Sequence, residues 1–206
     1  MSFATGAAQG QSQGWYIGAG GGGTKANNAG SCSDLNGTFD PGFSCTSNDT
    51  STGWKVFAGY QFNPYLAAEG GYADLGSFKV SASGSITAIP ATLSGSDKAT
   101  GFNLDAVGIL PLGEGFGLLG RLGVFAWKLD ATSTQTGGGL FPPGSTATTS
   151  NSPTGTSADF GVGVKYDFNG VGGVRVEWQR FKNIGNDNTG KSDIDLISAS
   201  VLYRFR

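Results

Sequence analysis

The chain contains no histidine, the side chain that most often serves as a general base or a catalytic metal ligand. Its two cysteines are too few for a zinc site built on thiolates. Charged residues make up only 14% of the chain, the net charge is −2, and Lys and Arg form no cluster, so the electrostatic footprint of a nucleic-acid binder is missing. No run of about 18 apolar residues occurs, which excludes a transmembrane helix. That absence does not exclude a membrane barrel, whose strands show lipid only at every second residue. A hydrophobic content of 38% and a mean hydropathy of −0.12 are compatible with one.

Glycine, by contrast, is abundant, at 37 of 206 residues, and aromatics reach 12%. Glycine is costly inside helices, so this composition points to an all-β chain with many turns. No composition break divides the chain, and we read one domain. The start, "MSFATGAAQGQSQGW", lacks a basic n-region and a full apolar h-region, although "GAA" at Gly6 to Ala8 is small-x-small. Residues 1–13 therefore read as a flexible leader or signal remnant, and 14–206 as the folded domain.

Eight segments alternate with period two. The first, "GWYIGAGGGGT", begins at Gly14. The second, from Gly53, sets Trp54, Val56, Ala58, Tyr60 and Phe62 against Lys55, Phe57, Gly59 and Gln61. The third, "YLAAEGGYADLGSF", opposes Leu66, Ala68 and Tyr72 to Glu69, and the fourth, "ATGFNLDAVGIL", opposes Phe102, Leu104 and Ala106 to Asn103, Asp105 and Val107. The fifth, "GLLGRLGVFAWKL", places Leu122, Val124 and Ala126 opposite Arg121, Phe125 and Trp127. The sixth, "ADFGVGVKYDF", places Phe160, Val162, Val164, Tyr166 and Phe168 opposite Asp159, Gly161, Gly163, Lys165 and Asp167. In the seventh, "RVEWQRFKNIG", Arg175, Glu177 and Gln179 share one side and Val174, Val176 and Trp178 the other. The last, "DIDLISASVLYRF", sets Ile197, Ala199, Val201, Tyr203 and Phe205 against Ser198, Ser200, Leu202 and Arg204.

The connections alternate in length. "FNPY" at Phe62 to Tyr65, "PLGEGFG" at Pro111 to Gly117 and "NGVGG" at Asn169 to Gly173 are tight reversals. The other four, from Lys25 to about Ser51, Lys79 to Asp97, Ala131 to Thr154 and Asn183 to Lys191, are Ser-, Thr-, Asn- and Gly-rich and read as long loops. Short turns at one end and long loops at the other match outer-membrane barrels rather than a soluble lipocalin-like barrel. Trp15, Trp54, Tyr65, Tyr72, Tyr166, Trp178, Tyr203 and Phe205 lie near strand ends and suit aromatic girdles at two membrane interfaces.

The stretches "GWYIGAG", "FAGYQFNPYLAAEGGYADLG", "GRLGVFAW", "VRVEWQ", "NIGNDNTG" and "SVLYRF", in this order and spacing, resemble the OmpA-like family of membrane domains over nearly the whole chain after Gly14. The resemblance implies an eight-stranded antiparallel up-and-down transmembrane β-barrel in the outer membrane of a Gram-negative bacterium. Its surroundings would be outer-membrane lipid and lipopolysaccharide, its loops would be open to ligands, and a monomer is expected. No segment corresponds to the soluble peptidoglycan-binding domain that many members carry, so the chain reads as a stand-alone or an excised barrel. Arg206, following the aromatic Phe205 at which such barrels often finish, is the departure that suggests a longer chain.

With the apolar faces toward lipid, Lys55, Glu69, Asp105, Arg121, Lys165, Arg175 and Glu177 all project into one narrow lumen and must find opposite charges there. In the family, a carboxylate on the third strand and an arginine on the seventh belong to a network that blocks or gates the lumen, and Glu69 and Arg175 match those positions. Two matches differ. Val107 stands where the best-known member has a lysine on the fourth strand, and Lys165 where it has a glutamate on the sixth. A static plug is therefore expected in preference to a working gate. Arg180 and Asp74 fall on the lipid side near the loop end, where only an interfacial position tolerates charge.

Cys32 and Cys45, thirteen apart in the first long loop, face an oxidising exterior, and we expect a disulfide. "GAGGGG" at Gly18 to Gly23 matches a dinucleotide fingerprint literally. It lies within a strand, though, and no helix follows, so close packing of neighbours is the better reading. "DLNGTFD" at Asp34 to Asp40 faintly resembles a calcium loop without the acidic twelfth ligand, and no metal or cofactor is expected. Acyl-transfer and deacylation enzymes of similar size exist on eight-stranded barrels, but they rely on histidine, so no catalysis is expected here. The reading is a structural, loop-displaying barrel with at most a narrow gated pore. A porin-like diffusion channel and a loop-based adhesin or receptor are the alternatives.

Overall fold

The computed structural model describes residues 13–27, 32, 38–138, 144–168, 170–186 and 190–205. The 1–12 part of the leader and Arg206 lie outside the described residues, as does most of the "DLNGTFD" motif. Ten strands occur among the described residues: β1 (Gly14–Ala26), β2 (Ser44–Asn48), β3 (Thr50–Asn63), β4 (Leu66–Ile86), β5 (Ile89–Gly113), β6 (Phe116–Gly137), β7 (Thr146–Asn151), β8 (Thr154–Phe168), β9 (Gly172–Asn186) and β10 (Gly190–Arg204). Eight of them, β1, β3, β4, β5, β6, β8, β9 and β10, pair antiparallel with their neighbours in that order, and β10 returns to β1 to close the ring. Closure removes every free edge within the membrane, where an unpaired backbone group would find no water.

The alternation sorts side chains as lipid demands. Val56, Leu104, Leu122, Val162, Val176, Ile197 and Val201 stand exposed on the outer wall. Aromatic pairs bracket them. Trp15–Tyr60, Phe116–Tyr166 and Tyr203–Phe205 ring the turn end, and Trp54–Tyr72, Tyr72–Phe102 and Phe160–Trp178 ring the loop end. On β3 the two rings are eight residues apart at Phe62 and Trp54, about 26 Å along the strand, which suits a tilted strand crossing the hydrocarbon.

The connections correct the sequence reading. The segment Lys79 to Asp97, expected to be a loop, is a continuous hairpin. β4 and β5 stay paired from Ser77↔Lys98 to Ile86↔Ile89 after one bulge between Asp74 and Ser77. The segment Ala131 to Thr154 likewise carries the end of β6 and the whole of β7, paired from Ala131↔Asn151 to Thr136↔Thr146. Within Lys25 to Ser51, β2 pairs with β4 from Ser44↔Ser83 to Asn48↔Lys79. A five-stranded sheet, β2–β4–β5–β6–β7, therefore rises above one side of the barrel. From Thr100 to Ile89 it extends roughly 35 Å along β5. Its strands are rich in Ser, Thr and Gly, a loop-like composition, although Val80, Ala82 and Ile86 alternate with Ser81, Ser83 and Ser85 on β4 and β-branched Thr favours the extended backbone.

The inward face of this sheet has a small core of its own, Phe39, Ala82 and Ala91 with Phe43, Cys45, Ile86 and Leu93 packed against it. The Cys32–Cys45 disulfide, with Cα atoms 5.8 Å apart, ties the first loop to β2. At the hairpin tip Thr87 and Ala88 both adopt positive φ (55° and 64°), the backbone of a tight two-residue reversal that usually calls for Gly or Asn. Asp40 holds the tip, accepting hydrogen bonds from the Ser85 hydroxyl and the Ala88 N–H, both at 2.9 Å.

Candidate functional site: the filled lumen

All seven charged residues expected to point inward do so, each at 5% exposure or less. The long polar side chains fit because glycine lies beside them across the sheet. Gly20 pairs with Lys55, Gly59 with Glu69, Gly123 with Asp105, Gly161 with Arg121 and Gly163 with Glu177. A Cβ on Gly163 would lie 2.8 Å from Glu177 Cγ and 2.4 Å from the Val176 carbonyl oxygen, so even alanine is excluded there.

Six of the seven meet in one layer. Glu69 on β4 accepts from Arg175 Nη1 on β9 at 2.6 Å, from Arg121 Nη2 on β6 at 2.8 Å and from the Tyr16 hydroxyl on β1 at 2.6 Å. Arg121 continues to Asp105 on β5 at 2.8 Å and to Glu177 on β9 at 3.2 Å. Glu177 in turn holds Lys55 Nζ of β3 at 2.8 Å and Arg175 Nε at 2.9 Å. The Arg175 guanidinium also stacks 4.3 Å from the centre of the Phe57 ring. Charges withdrawn from water are thus met on several sides, the condition under which a buried ionic cluster is tolerated.

Lys165 is the exception. It stands directly across from Arg175 in the sheet, a like charge, and bonds instead to Asp167 at 3.0 Å, which Arg204 approaches at 3.3 Å. The lumen therefore holds a central cluster and a separate one near the turns. Val107, where the family resemblance implied a lysine, pairs directly with Arg121, so the positive charge absent from the fourth barrel strand enters from the neighbouring fifth. Asp159, Gln179 and Tyr16 complete the central layer and were not among the candidates. Gln179 donates to Asp159 at 3.0 Å and its carbonyl accepts from Arg121 at 3.3 Å. Asp159 and Gln179 already lay on the polar side of their strands by parity, and that parity was the signal available.

Apolar layers cover the ionic one at both ends. Toward the turns sit Ala67, Val107, Ile109, Leu119 and Leu202 with Tyr16 and Phe57. Toward the loops sit Leu75, Phe125, Trp127, Phe181, Ile184 and Leu196. Phe125 and Phe181 are fully buried with ring centres 4.5 Å apart. Arg180 and Asp74, expected at the interface, are paired there, Arg180 Nε with Asp195 at 2.6 Å and Asp74 with Lys98 at 3.0 Å.

Among the described residues no group of three or more potential metal ligands comes together. An eight-stranded ring whose outer wall is greasy and girdled and whose lumen is packed with ion pairs has a clear counterpart among known proteins, since residues 10–206 match the OmpA-like transmembrane domain. The chain belongs to the OmpA-like transmembrane domain family. Outer membrane protein A of Salmonella typhi is 33% identical over 160 residues, which cover 77% of this chain and 41% of that protein. Its counterpart from Klebsiella pneumoniae is 32% identical over 162 residues, 78% and 42% of the two chains. The matched region thus spans about two-fifths of the length of these relatives. Among solved structures, Ail, the attachment invasion locus protein of Yersinia pestis, superposes with a TM-score of 0.50 at 14% identity, covering 94% of this chain and 100% of Ail, a likeness of fold alone. As an OmpA-like domain the chain is an outer-membrane β-barrel, and its charged lumen faces no bulk solvent at the level of Glu69.

Proposed function

We propose that the chain is a structural outer-membrane barrel, without catalytic activity and closed to free solute flow at rest, that anchors and displays an extracellular sheet. The observation that carries this reading is the serial closure of the lumen: the ionic layer around Glu69 and Arg121 is followed directly by the Phe125–Phe181 layer. An eight-stranded interior has room for little more than its side chains. Single-channel recording of the purified chain in planar bilayers tests it. The expected result is silence in the wild type, in Glu69→Ala and in Phe125→Ala, with brief small openings only when both are combined. Frequent openings in the wild type would establish the porin-like channel instead.

A surface-recognition role is the second reading, favoured by the disulfide-tied sheet above the membrane. Ail, whose name refers to attachment and invasion, shares the fold. Replacing residues 25–51 by a short turn should then remove cell attachment while leaving the barrel folded.

A further inference from the structure

The outward face of the extracellular sheet is an almost unbroken array of hydroxyls. Across the five strands the paired positions run Ser44, Ser83, Thr92, Thr136 and Thr146 in the row nearest the tip. The next row is Thr46, Ser81, Ser94, Thr134 and Thr148, and the row nearest the membrane is Asn48, Lys79, Ser96, Thr132 and Ser150. Every one of these side chains except Asn48 and Lys79 carries a hydroxyl, and all are exposed or half-exposed. The hydroxyls of Thr136 and Thr146 lie 2.9 Å apart and those of Thr134 and Thr148 3.2 Å apart, as same-face cross-strand neighbours should. Sheet geometry sets the grid at about 4.8 Å between strands and roughly 6.7 Å along them. An exposed sheet shaped for water alone is normally studded with charges of both signs, which also discourage strand-to-strand association. This one holds a single charge, Lys79.

Its position says what it meets. β5 and β6 pair without a register shift from Leu110↔Leu118 to Ala91↔Gly137, so the outward side of the extracellular sheet is the same side that faces lipid below. On β5 that side passes from Leu104 and Phe102 through Thr100 and Lys98 to Ser96, Ser94 and Thr92. On β6 it passes from Leu122 and Val124 through Lys128 and Asp130 to Thr132, Thr134 and Thr136. Going up the wall, then, hydrocarbon contacts give way to an ion-paired foot, where Asp74 holds Lys98 at 3.0 Å and Asp130 holds Lys128 at 2.8 Å with Lys79 above them, and the foot to neutral hydroxyls. The outer leaflet of a Gram-negative outer membrane has the same order: acyl chains, phosphorylated sugars, and then the polyhydroxylated core oligosaccharide. Serine and threonine hydroxyls both donate and accept, as sugar hydroxyls do.

We propose that this face is a docking surface for the core oligosaccharide of the lipopolysaccharide molecules that surround the barrel, with its hydroxyl rows meeting the sugar hydroxyls above the ion-paired foot. The proposal rests on the outer-membrane placement of the chain and not on whether the lumen conducts.

The test uses the full chain refolded into vesicles containing phospholipid with equal amounts of core-bearing lipopolysaccharide and lipid A. After extraction in mild detergent, each glycolipid retained per barrel is quantified. Wild type should retain the core-bearing form about tenfold over lipid A, the worth of one or two net hydrogen bonds. The variant Ser81→Ala/Ser94→Ala/Thr134→Val/Thr148→Val should fall to parity with unchanged heat-modifiable migration. If that variant does not migrate as a folded barrel, the Thr134→Val/Thr148→Val pair is read in its place, and a partial loss is expected. No preference in the wild type, or a preference untouched in the folded variant, overturns the proposal. Equal binding of delipidated core oligosaccharide to the wild type in phospholipid-only discs would make the ligand a soluble glycan, and a variant-sensitive dimer in such discs would make it a second copy of the chain; either result also overturns it. Conductance is recorded separately, so a barrel that proves to be open defeats the proposed function without touching this readout.

Discussion

β4, β5 and β6 each pass through two surroundings, and the two halves of each strand differ more in composition than in geometry. Within the barrel the inward positions of β6 carry Arg121, Phe125 and Trp127, all buried, and the outward ones carry Leu122 and Val124, both exposed to lipid. Above it, Thr132, Thr134 and Thr136 point outward, and Gln135 and Gly137 inward. The backbone pairing is continuous from one half to the other. What changes is the medium. Lipid cannot hydrogen-bond, so polar groups retreat to the lumen and gather into clusters; water and sugar can, so the outer face becomes polar. The lower half is held by closure and buried ion pairs, the upper half by a small core, a disulfide and Asp40.

That contrast can be broken from either side, and the largest effect is expected below. Glu69→Ala leaves Arg121 and Arg175 short of their shared counter-charge and should destabilise the barrel by roughly 3–5 kcal/mol. Urea unfolding in lipid vesicles, followed by tryptophan emission, measures it. A change within error would mean that water reaches the layer and the lumen is not dry. Next, Cys32→Ser with Cys45→Ser should cost the extracellular sheet about 2–4 kcal/mol by freeing the first loop, while the barrel unfolds as before. Limited proteolysis should then cut the loop around β2 first, with heat-modifiable migration intact. Equal loss in both regions would show that sheet and barrel unfold as one unit.

A smaller effect concerns pH. Hydrogen bonds from the Ala88 N–H and the Ser85 hydroxyl hold the Asp40 carboxyl below its ordinary range. A depressed carboxylate contributes stability that is complete above the unfolded value, near 4, and lost as pH falls through the lower folded one. Hydrogen exchange at the hairpin tip should therefore quicken only below about pH 4 in the wild type, and already be fast at neutral pH in Asp40→Ala. The smallest effect is expected for Thr134→Ala, an exposed hydroxyl, at under about 0.5 kcal/mol on thermal unfolding. A larger loss would give the hydroxyl rows a structural role and weaken the case that they face a ligand.

Much of the lower half was legible in the chain. Period-two alternation in "FGVGVKYDF" and "RVEWQ" separates the greasy side from the charged one, and three short turns against three long connections orient the barrel; the fourth expected loop, Asn183 to Lys191, is mostly strand, with Gly190 paired to Asn186 and Lys191 to Gly185. The upper half was not legible, because its Ser-, Thr- and Gly-rich composition reads as loop; the short alternation of Val80, Ala82 and Ile86 with Ser81, Ser83 and Ser85 was a signal there for a strand. The lumen was legible only in part. Parity placed Asp159, Gln179 and Arg204 on the inner side, yet nothing in parity says which of them lie at one height.

The sequence by itself determined which side chains face lipid and which face the axis, because that depends on a local alternation and on the inability of hydrocarbon to solvate charge. Tertiary structure alone decided the partners. The stagger of neighbouring strands brings Arg121 level with Glu69, Asp105 and Glu177 and leaves Lys165 with Asp167, and it carries β2 and β7 alongside β4 and β6 to make a sheet where the chain reads as loops. Height along a barrel axis is a property of the closed ring, which no single strand contains.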